Sequence, residues 1–424
     1  MLQLNKKRTA VNIIKMIVPA VMCSALMGCS IFTDPRVWQQ AGSDVPELSV
    51  FDETMRDFMV SHRVSAGSLA ITYNGRLVFA RGYTWSKEDS PATQPTSLFR
   101  IASLSKPVTS AGIFKLVEEN QLSLDDKFID ILPFGTPEGE IPDPNIGKVT
   151  ILHLLEHLGG WDRDTAFDPM FADKKISKAL GTPLPVTQAD IITFMNGQPL
   201  QYEPGTKCAY SNYGYCLLGR VIEQKTGLGY EDFIKRFVLS PLGIIRMQIG
   251  QSNREDRAPG EVTYESKGES VYGAFNIKNM DSHGGWLASA VDLARFAAAF
   301  DDPADCPILS ADSVETMFSP PTTVDLDNYK PGEHYYACGW NVRDFGNGSR
   351  STWHAGSLPG CYTIMVRWSN GVNCVALFNR RGRGIEKIDP VLSKTVKSIS
   401  AWPEHNLFPD ILGASESTER AGGQ

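Results

Sequence analysis

Strand signals at both ends of the chain and helical periodicity in its middle predict an α+β fold. Near the start, Asn74-Gly75 joins two β-prone runs, a strong hairpin signal. The expected architecture is an antiparallel sheet flanked by helices, built from both ends of the chain, with a mainly helical insertion lobe.

A first helix is expected from Leu48 to about His62, and Ser68–Tyr73 with Arg76–Tyr83 forms the hairpin. The stretch after Ser103 reads as a helix. Pro107 is tolerated in a first turn, Ile113, Leu116 and Val117 make a buried stripe, and Asn120 suits the end. Residues 121–283 carry helical periodicity punctuated by Pro and Gly, including Thr150–His157, and Asp292–Phe300 is a further helix. Strand signals return at Tyr335–Val342, Ser351–His354, Cys361–Trp368 and Val372–Asn379, the last two joined by Ser369-Asn370-Gly371. A closing helix over 384–401 precedes a polar tail, 409–424, expected to be disordered. The main domain is thus expected over 49–408, its α/β lobe from about 49–120 and 284–408, its helical lobe from about 121–283.

With 424 residues, 42% of them hydrophobic, the chain can bury one large core or two medium ones. A net charge of −7 argues against nucleic acid as a partner. The first 28 residues read as a targeting segment. Lys6, Lys7, Arg8 and Lys15 precede an apolar stretch, Met16–Leu26, too short to span a bilayer comfortably. It ends Leu26-Met27-Gly28-Cys29, which resembles the lipobox of bacterial lipoproteins and implies lipidation at Cys29. Export to the cell envelope, with a lipid anchor in the membrane and a tether over 29–48, is the expectation; an ordinary signal peptide or an uncleaved anchor would also export the chain. A Ser30 after the cysteine looks like the outer-membrane pattern if the organism is Gram-negative.

Of eight cysteines, Cys23 and Cys29 fall in this leader. An exported chain permits disulfides among the rest, and Cys208 with Cys216 is the first candidate pair. No cysteine–histidine cluster has zinc spacing.

Chemistry concentrates at Ser103-Leu104-Ser105-Lys106. A serine three residues before a lysine at a helix start sets hydroxyl and amine on one face. Such a hydroxyl is a weak nucleophile until a base takes its proton, and a lysine among apolar neighbours can become that base. A second feature, Tyr210-Ser211-Asn212, opens another helix near Ser211. Its phenol could share a proton with Ser103 and Lys106, and the Asn212 amide could orient a substrate amide.

Ser103-x-x-Lys106 followed by Tyr210-x-Asn212 resembles the serine β-lactamase and penicillin-binding-protein superfamily, in particular its class C β-lactamase, DD-peptidase and esterase branch. The resemblance extends over about 50–400, with supporting phrases at Leu122–Asp126, His153–Gly160 and Gly284–Ala294. It implies a third motif, Lys-Thr-Gly or His-x-Gly, on a strand facing the nucleophile. Lys225-Thr226-Gly227 ends a helix, with Gly227 placed as its C-cap, and His283-Gly284-Gly285 precedes one. Trp353-His354-Ala355-Gly356-Ser357 is the better match. In that role His354 supplies hydrogen bonding or positive charge, Gly356 lets substrate backbone approach, and Ser357 with Ser103 provides the backbone oxyanion donors. His157 and Trp161–Asp164 could line the cleft, but a helix-ending turn packed by tryptophan explains them equally well, and they are left outside the site.

The resemblance implies a serine hydrolase without cofactor or metal. Ser103 attacks with Lys106 and Tyr210 as a coupled base, and Asn212 orients the acyl side chain. The substrates it implies are envelope D-amino-acid peptides or small esters; a monomer is expected. Histidine and Ala355 at the third motif, in place of the lysine and threonine usual in class C β-lactamases, make β-lactam hydrolysis the weaker alternative. A non-catalytic lipoprotein that binds peptidoglycan or a partner is the alternative of another class.

Overall fold

The computed structural model describes residues 36–266, 270–325 and 328–411. The leader, Cys29 and residues 412–424 lie outside them. The main sheet contains β1 (Val37–Ala41), β2 (Ala66–Tyr73), β3 (Arg76–Ser86), β7 (His334–Tyr336), β8 (Asn341–Asp344), β9 (Arg350–Leu358), β10 (Cys361–Arg367) and β11 (Val372–Phe378). Their order is β1-β3-β2-β11-β10-β9-β8-β7, antiparallel throughout. The two ends of the chain therefore meet at β2–β11, where Leu69 faces Ala376. Asn74 and Gly75 both take positive φ, the backbone that a two-residue hairpin requires.

Side chains alternate across the sheet. Leu69, Ile71, Ile364, Ala376 and Phe378 join one apolar layer, while Ala70, Met365, Val375 and Leu377 join the other. Helix α1 (Ser49–His62) and the C-terminal helix, Ile388–Ser398, cover the first face. The second face carries α2 (Ser105–Glu118), the helix Ala290–Ala298 and the helical lobe. That lobe includes α3 (Phe128–Ile131), α4 (Ile151–Leu155), α5 (Asp173–Leu180), α6 (Gln188–Asn196), α7 (Asn212–Thr226) and α8 (Tyr230–Ile234). A second sheet of β4 (Phe99–Arg100), β5 (Gln248–Ile249) and β6 (Trp286–Ala288), ordered β4-β6-β5, fixes the chain just before Ser103. Arg100, 1% exposed, anchors it by donating to the carbonyls of Val271 and Gln251, both at 2.9 Å.

Four expectations need correction. Residues 37–41 form an edge strand on β3 instead of part of a tether; their mostly half-buried, Gln-rich pattern suits an edge. The described chain runs past 408 to Ile411, which packs against the core. Tyr335–Val342 is two short strands, because Gly339 at φ +85 turns the chain between β7 and β8. Cys208 and Cys216 are both free. Cys216 faces the core from inside α7, while the Cys208 thiol donates to the Glu156 carbonyl at 3.6 Å.

Candidate active site

The turn into α2 carries the nucleophile candidate. Ala102 has φ +49, an uncommon conformation for a residue with a Cβ, and Ser103 follows in a short 3-10 turn at the floor of a cavity of about 670 Å³. Lys106, one turn on, is 0% exposed. Its Nζ lies 2.8 Å from Asn212 Oδ1, 2.9 Å from the His283 carbonyl and 3.3 Å from Ser103 Oγ. Burial holds this amine well below the ordinary lysine value; the Arg163 charge pushes the same way and Asp168 opposes it. A neutral amine has two N–H groups and one lone pair. The amide and carbonyl oxygens can only accept, so they take the two protons and the lone pair is left for the Ser103 hydroxyl.

Tyr210 stands above this amine, its ring centroid 4.6 Å from Lys106 Nζ. Its phenol is hydrogen-bonded to Ser103 and is raised above the usual tyrosine value, mainly by burial, against the pull of that hydrogen bond and of Arg163. At neutral pH it therefore keeps its proton. The phenol's placement depends on His157. The His157 carbonyl accepts from Ala209 N–H at 2.9 Å, its Nδ1 accepts from Ser211 N–H at 3.2 Å, and its ring lies 4.3 Å from that of Tyr210. His157 is thus a positioning residue behind the site, neutral because burial lowers its pKa.

Asn212 occupies the first position of α7, with Ser211 as its N-cap. Beyond receiving Lys106, its Nδ2 donates to Asp168 Oδ2 at 2.6 Å. The amide therefore bridges base and carboxylate, a role that orienting a substrate does not require. Arg163 sits 3.7 Å from the same Asp168, stacks over Tyr210 at 4.5 Å and lines the cavity. Of the two readings open for 161–164, the cleft-lining one holds for Arg163.

Opposite Ser103, β9 presents His354 and Ser357 to the cavity. The His354 Nδ1 donates to the Ala355 carbonyl at 2.8 Å, so Nε2 accepts from Tyr336 Oη at 3.1 Å. Burial first, then the Lys106 charge, pushes its pKa down to about 3. His354 therefore offers a hydrogen-bonding ring at neutral pH, and the expectation of positive charge there does not hold. Gly356 serves packing more than substrate. A Cβ there would lie 2.2 Å from the Ile101 carbonyl oxygen and 2.4 Å from Thr363 Oγ1. β9 must press directly on the nucleophile turn, which only glycine allows. Gly356→Ala is expected to cost about 1–3 kcal/mol through overpacking and to displace Ser103. Thermal melting beside kcat/KM checks this; an unchanged Tm would refute it.

Sequence reasoning thus brings Ser103, Lys106, Tyr210, Asn212, His354 and Ser357 into one place. It misses Asp168, Arg163, Tyr336 and the His283 carbonyl. A literal His283-Gly284-Gly285 was the only signal near the last, and its contribution is backbone. Among the described residues no group of His, Cys, Asp and Glu side chains could hold a metal.

Among curated proteins, the chain is 31% identical to Penicillin-binding protein 4* of Bacillus subtilis (strain 168) over 305 residues, 68% of this chain and 61% of that one. It spans 58% to 61% of the length of three of the curated relatives it matches. Among solved structures, the octameric penicillin-binding protein homologue from Pyrococcus abyssi superposes with a TM-score of 0.64 at 25% identity, covering 83% of this chain and 78% of that one. D-amino acid amidase from Ochrobactrum anthropi SV3 complexed with D-phenylalanine shares the fold, with a TM-score of 0.62 at 21% identity over 82% and 100% of the two chains. The family model described as Beta-lactamase matches residues 51–393, nearly the whole described fold and every member of the site above, and the chain belongs to that family.

Proposed function

We propose that this chain is an exported serine hydrolase acting through a Ser103 acyl-enzyme on envelope peptides containing D-amino acids, in the manner of a DD-carboxypeptidase or D-aminopeptidase, or on small esters. The observation that carries the reading is the fully buried Lys106 amine 3.3 Å from Ser103 Oγ, with Asn212 Oδ1 and the His283 carbonyl placed to accept two of its protons.

Lys106 takes the Ser103 proton as Oγ attacks the carbonyl carbon. The oxyanion rests on the backbone N–H groups of Ser103 and Ser357, a donor type worth about 10²–10³ in rate. The Tyr210 phenol, still protonated, delivers a proton to the leaving group and is replenished from Lys106. Water then attacks the acyl-enzyme with the same groups in reverse. Penicillin-binding and D-amino acid amidase relatives support a D-configured acyl donor. β-Lactam turnover is expected to be weak, because neutral His354 and Ala355 provide neither charge nor hydroxyl at the third motif. The lipobox-like Leu26–Cys29 supports a lipid-anchored envelope location, and a monomer is proposed.

Intact mass spectrometry with a fluorophosphonate, a p-nitrophenyl ester and a D-Ala-D-Ala peptide tests the reading, followed by peptide mapping. An adduct on the peptide bearing Ser103 is expected. No adduct on folded protein, or an adduct on another residue, would favour the binding lipoprotein.

A further inference from the structure

We infer that Asp168 is a positioning residue, which fixes the direction of the Asn212 amide and so keeps the Lys106 lone pair for Ser103. The inference rests on the acyl-transfer reading and adds a residue to the machinery of that same site.

The first observation is one of donors and acceptors. Asn212 Nδ2 donates to Asp168 Oδ2 at 2.6 Å, while Asn212 Oδ1 lies 2.8 Å from Lys106 Nζ. A carboxylate accepts hydrogen bonds and donates none, whereas the two ends of an amide have nearly the same shape and opposite roles. Asp168 therefore holds the NH2 end, and the oxygen is the end left for Lys106. Turned end for end, the amide would set its oxygen against the carboxylate and its NH2 group against the amine. A neutral lysine facing that donor would accept with its one lone pair, the pair needed for the Ser103 proton 3.3 Å away. The carboxylate excludes this arrangement.

The second observation is that the carboxylate is itself held. Its Oδ1 accepts from Met170 N–H at 3.1 Å, as N-cap of the short turn Pro169–Phe171. Arg163 lies 3.7 Å from Oδ2. One oxygen thus ties the group to the backbone while the other is given to Asn212. The charges acting on Lys106 are those of Arg163 and Asp168. His157, His283 and His354 beside it are kept neutral by burial, and burial keeps the Tyr210 and Tyr215 phenols protonated. Asp168 favours the protonated amine, so removing its charge moves the deprotonation of Lys106 to lower pH.

Asp168→Asn is the discriminating variant. Asparagine is nearly isosteric and caps a turn as well as aspartate does. Capping Met170 with its oxygen, it turns an NH2 group on Asn212 and reverses that amide. Asp168→Ser also keeps a cap, but its shorter side chain only releases the amide. Two rates are followed against pH: kcat/KM for a p-nitrophenyl ester, and fluorophosphonate labelling of Ser103. In Asp168→Asn both plateaus should fall about 10- to 100-fold, the size of a hydrogen bond to a charged group, with KM within about threefold and Tm kept. Asp168→Ser should lose less, about threefold to tenfold, and it keeps the test open if the first variant misfolds. In both, the acidic limb should move to lower pH. Plateaus equal to wild type, a loss confined to KM, a limb that stays or moves up, or a serine variant worse than the asparagine one would overturn the proposal. So would activity lost only together with the fold. Failure of the acyl-transfer reading looks different: wild type would then neither outpace Ser103→Ala on the ester nor label at Ser103.

Discussion

Ser103→Ala and Lys106→Met each lower kcat/KM for a p-nitrophenyl ester by about 10⁴-fold, and the double variant is no worse than the poorer single one. Non-additivity follows from the geometry. The amine acts only through the Ser103 proton, 3.3 Å away, and the hydroxyl attacks only when that proton leaves. Methionine fills nearly the volume of the buried lysine stem, so circular dichroism should report an intact fold. The pH profile supplies the sign. Protonated Lys106 has no lone pair, so wild-type kcat/KM rises with pH as the amine loses its proton. Burial, then Arg163, places that limb well below the ordinary lysine range. The same depression means that the folded state resists protonation. The stability Lys106 contributes is complete above the unfolded lysine pKa and is lost as pH falls through the folded one. In Lys106→Met both the rate limb and this stability slope vanish. Activity within tenfold of wild type in either single variant would remove Lys106 or Ser103 from the mechanism.

What could be read from the sequence divides along a physical line. Ser103 and Lys106 were legible because both lie on one helical turn, where spacing alone determines proximity. Tyr210 and Asn212 were legible through the resemblance, as Tyr210-x-Asn212 at the start of a helix near Ser211; the local signal alone marked only that helix start. The inner strands β2, β3, β10 and β11 were read through β-prone runs joined by Asn-Gly turns, which are equally local. Asp168 and Arg163 were not legible. Both sit in an irregular stretch after α4, and only the folded helical lobe brings them to Asn212 and Tyr210. Gly356 was recognised, but for a reason the structure replaces. The constraint comes from the carbonyl of Ile101, 255 residues earlier in the chain, and no pattern around position 356 encodes it. Charge state was the least legible quantity. His354 reads as a possible cation from its residue type, and only burial beside Lys106 shows it to be neutral.

Tyr210→Phe separates the two proton carriers that the sequence left coupled. Phenylalanine keeps the ring packed against His157 and under Arg163, so the loop geometry should survive. The variant loses only the phenol that is hydrogen-bonded to Ser103. A loss of about 10²–10³-fold in kcat/KM is expected, in the range of a missing general acid. Because burial raises the Tyr210 pKa, the phenol keeps its proton across the working range, and its removal leaves the acidic limb where Lys106 sets it. Esters with good leaving groups need less protonation, so the loss should shrink from an alkyl to a p-nitrophenyl ester. If the limb instead disappears in Tyr210→Phe and persists in Lys106→Met, the phenolate is the base and the lysine its electrostatic support. The lone-pair argument would then be wrong, since a lysine whose charge supports a phenolate must keep all three protons.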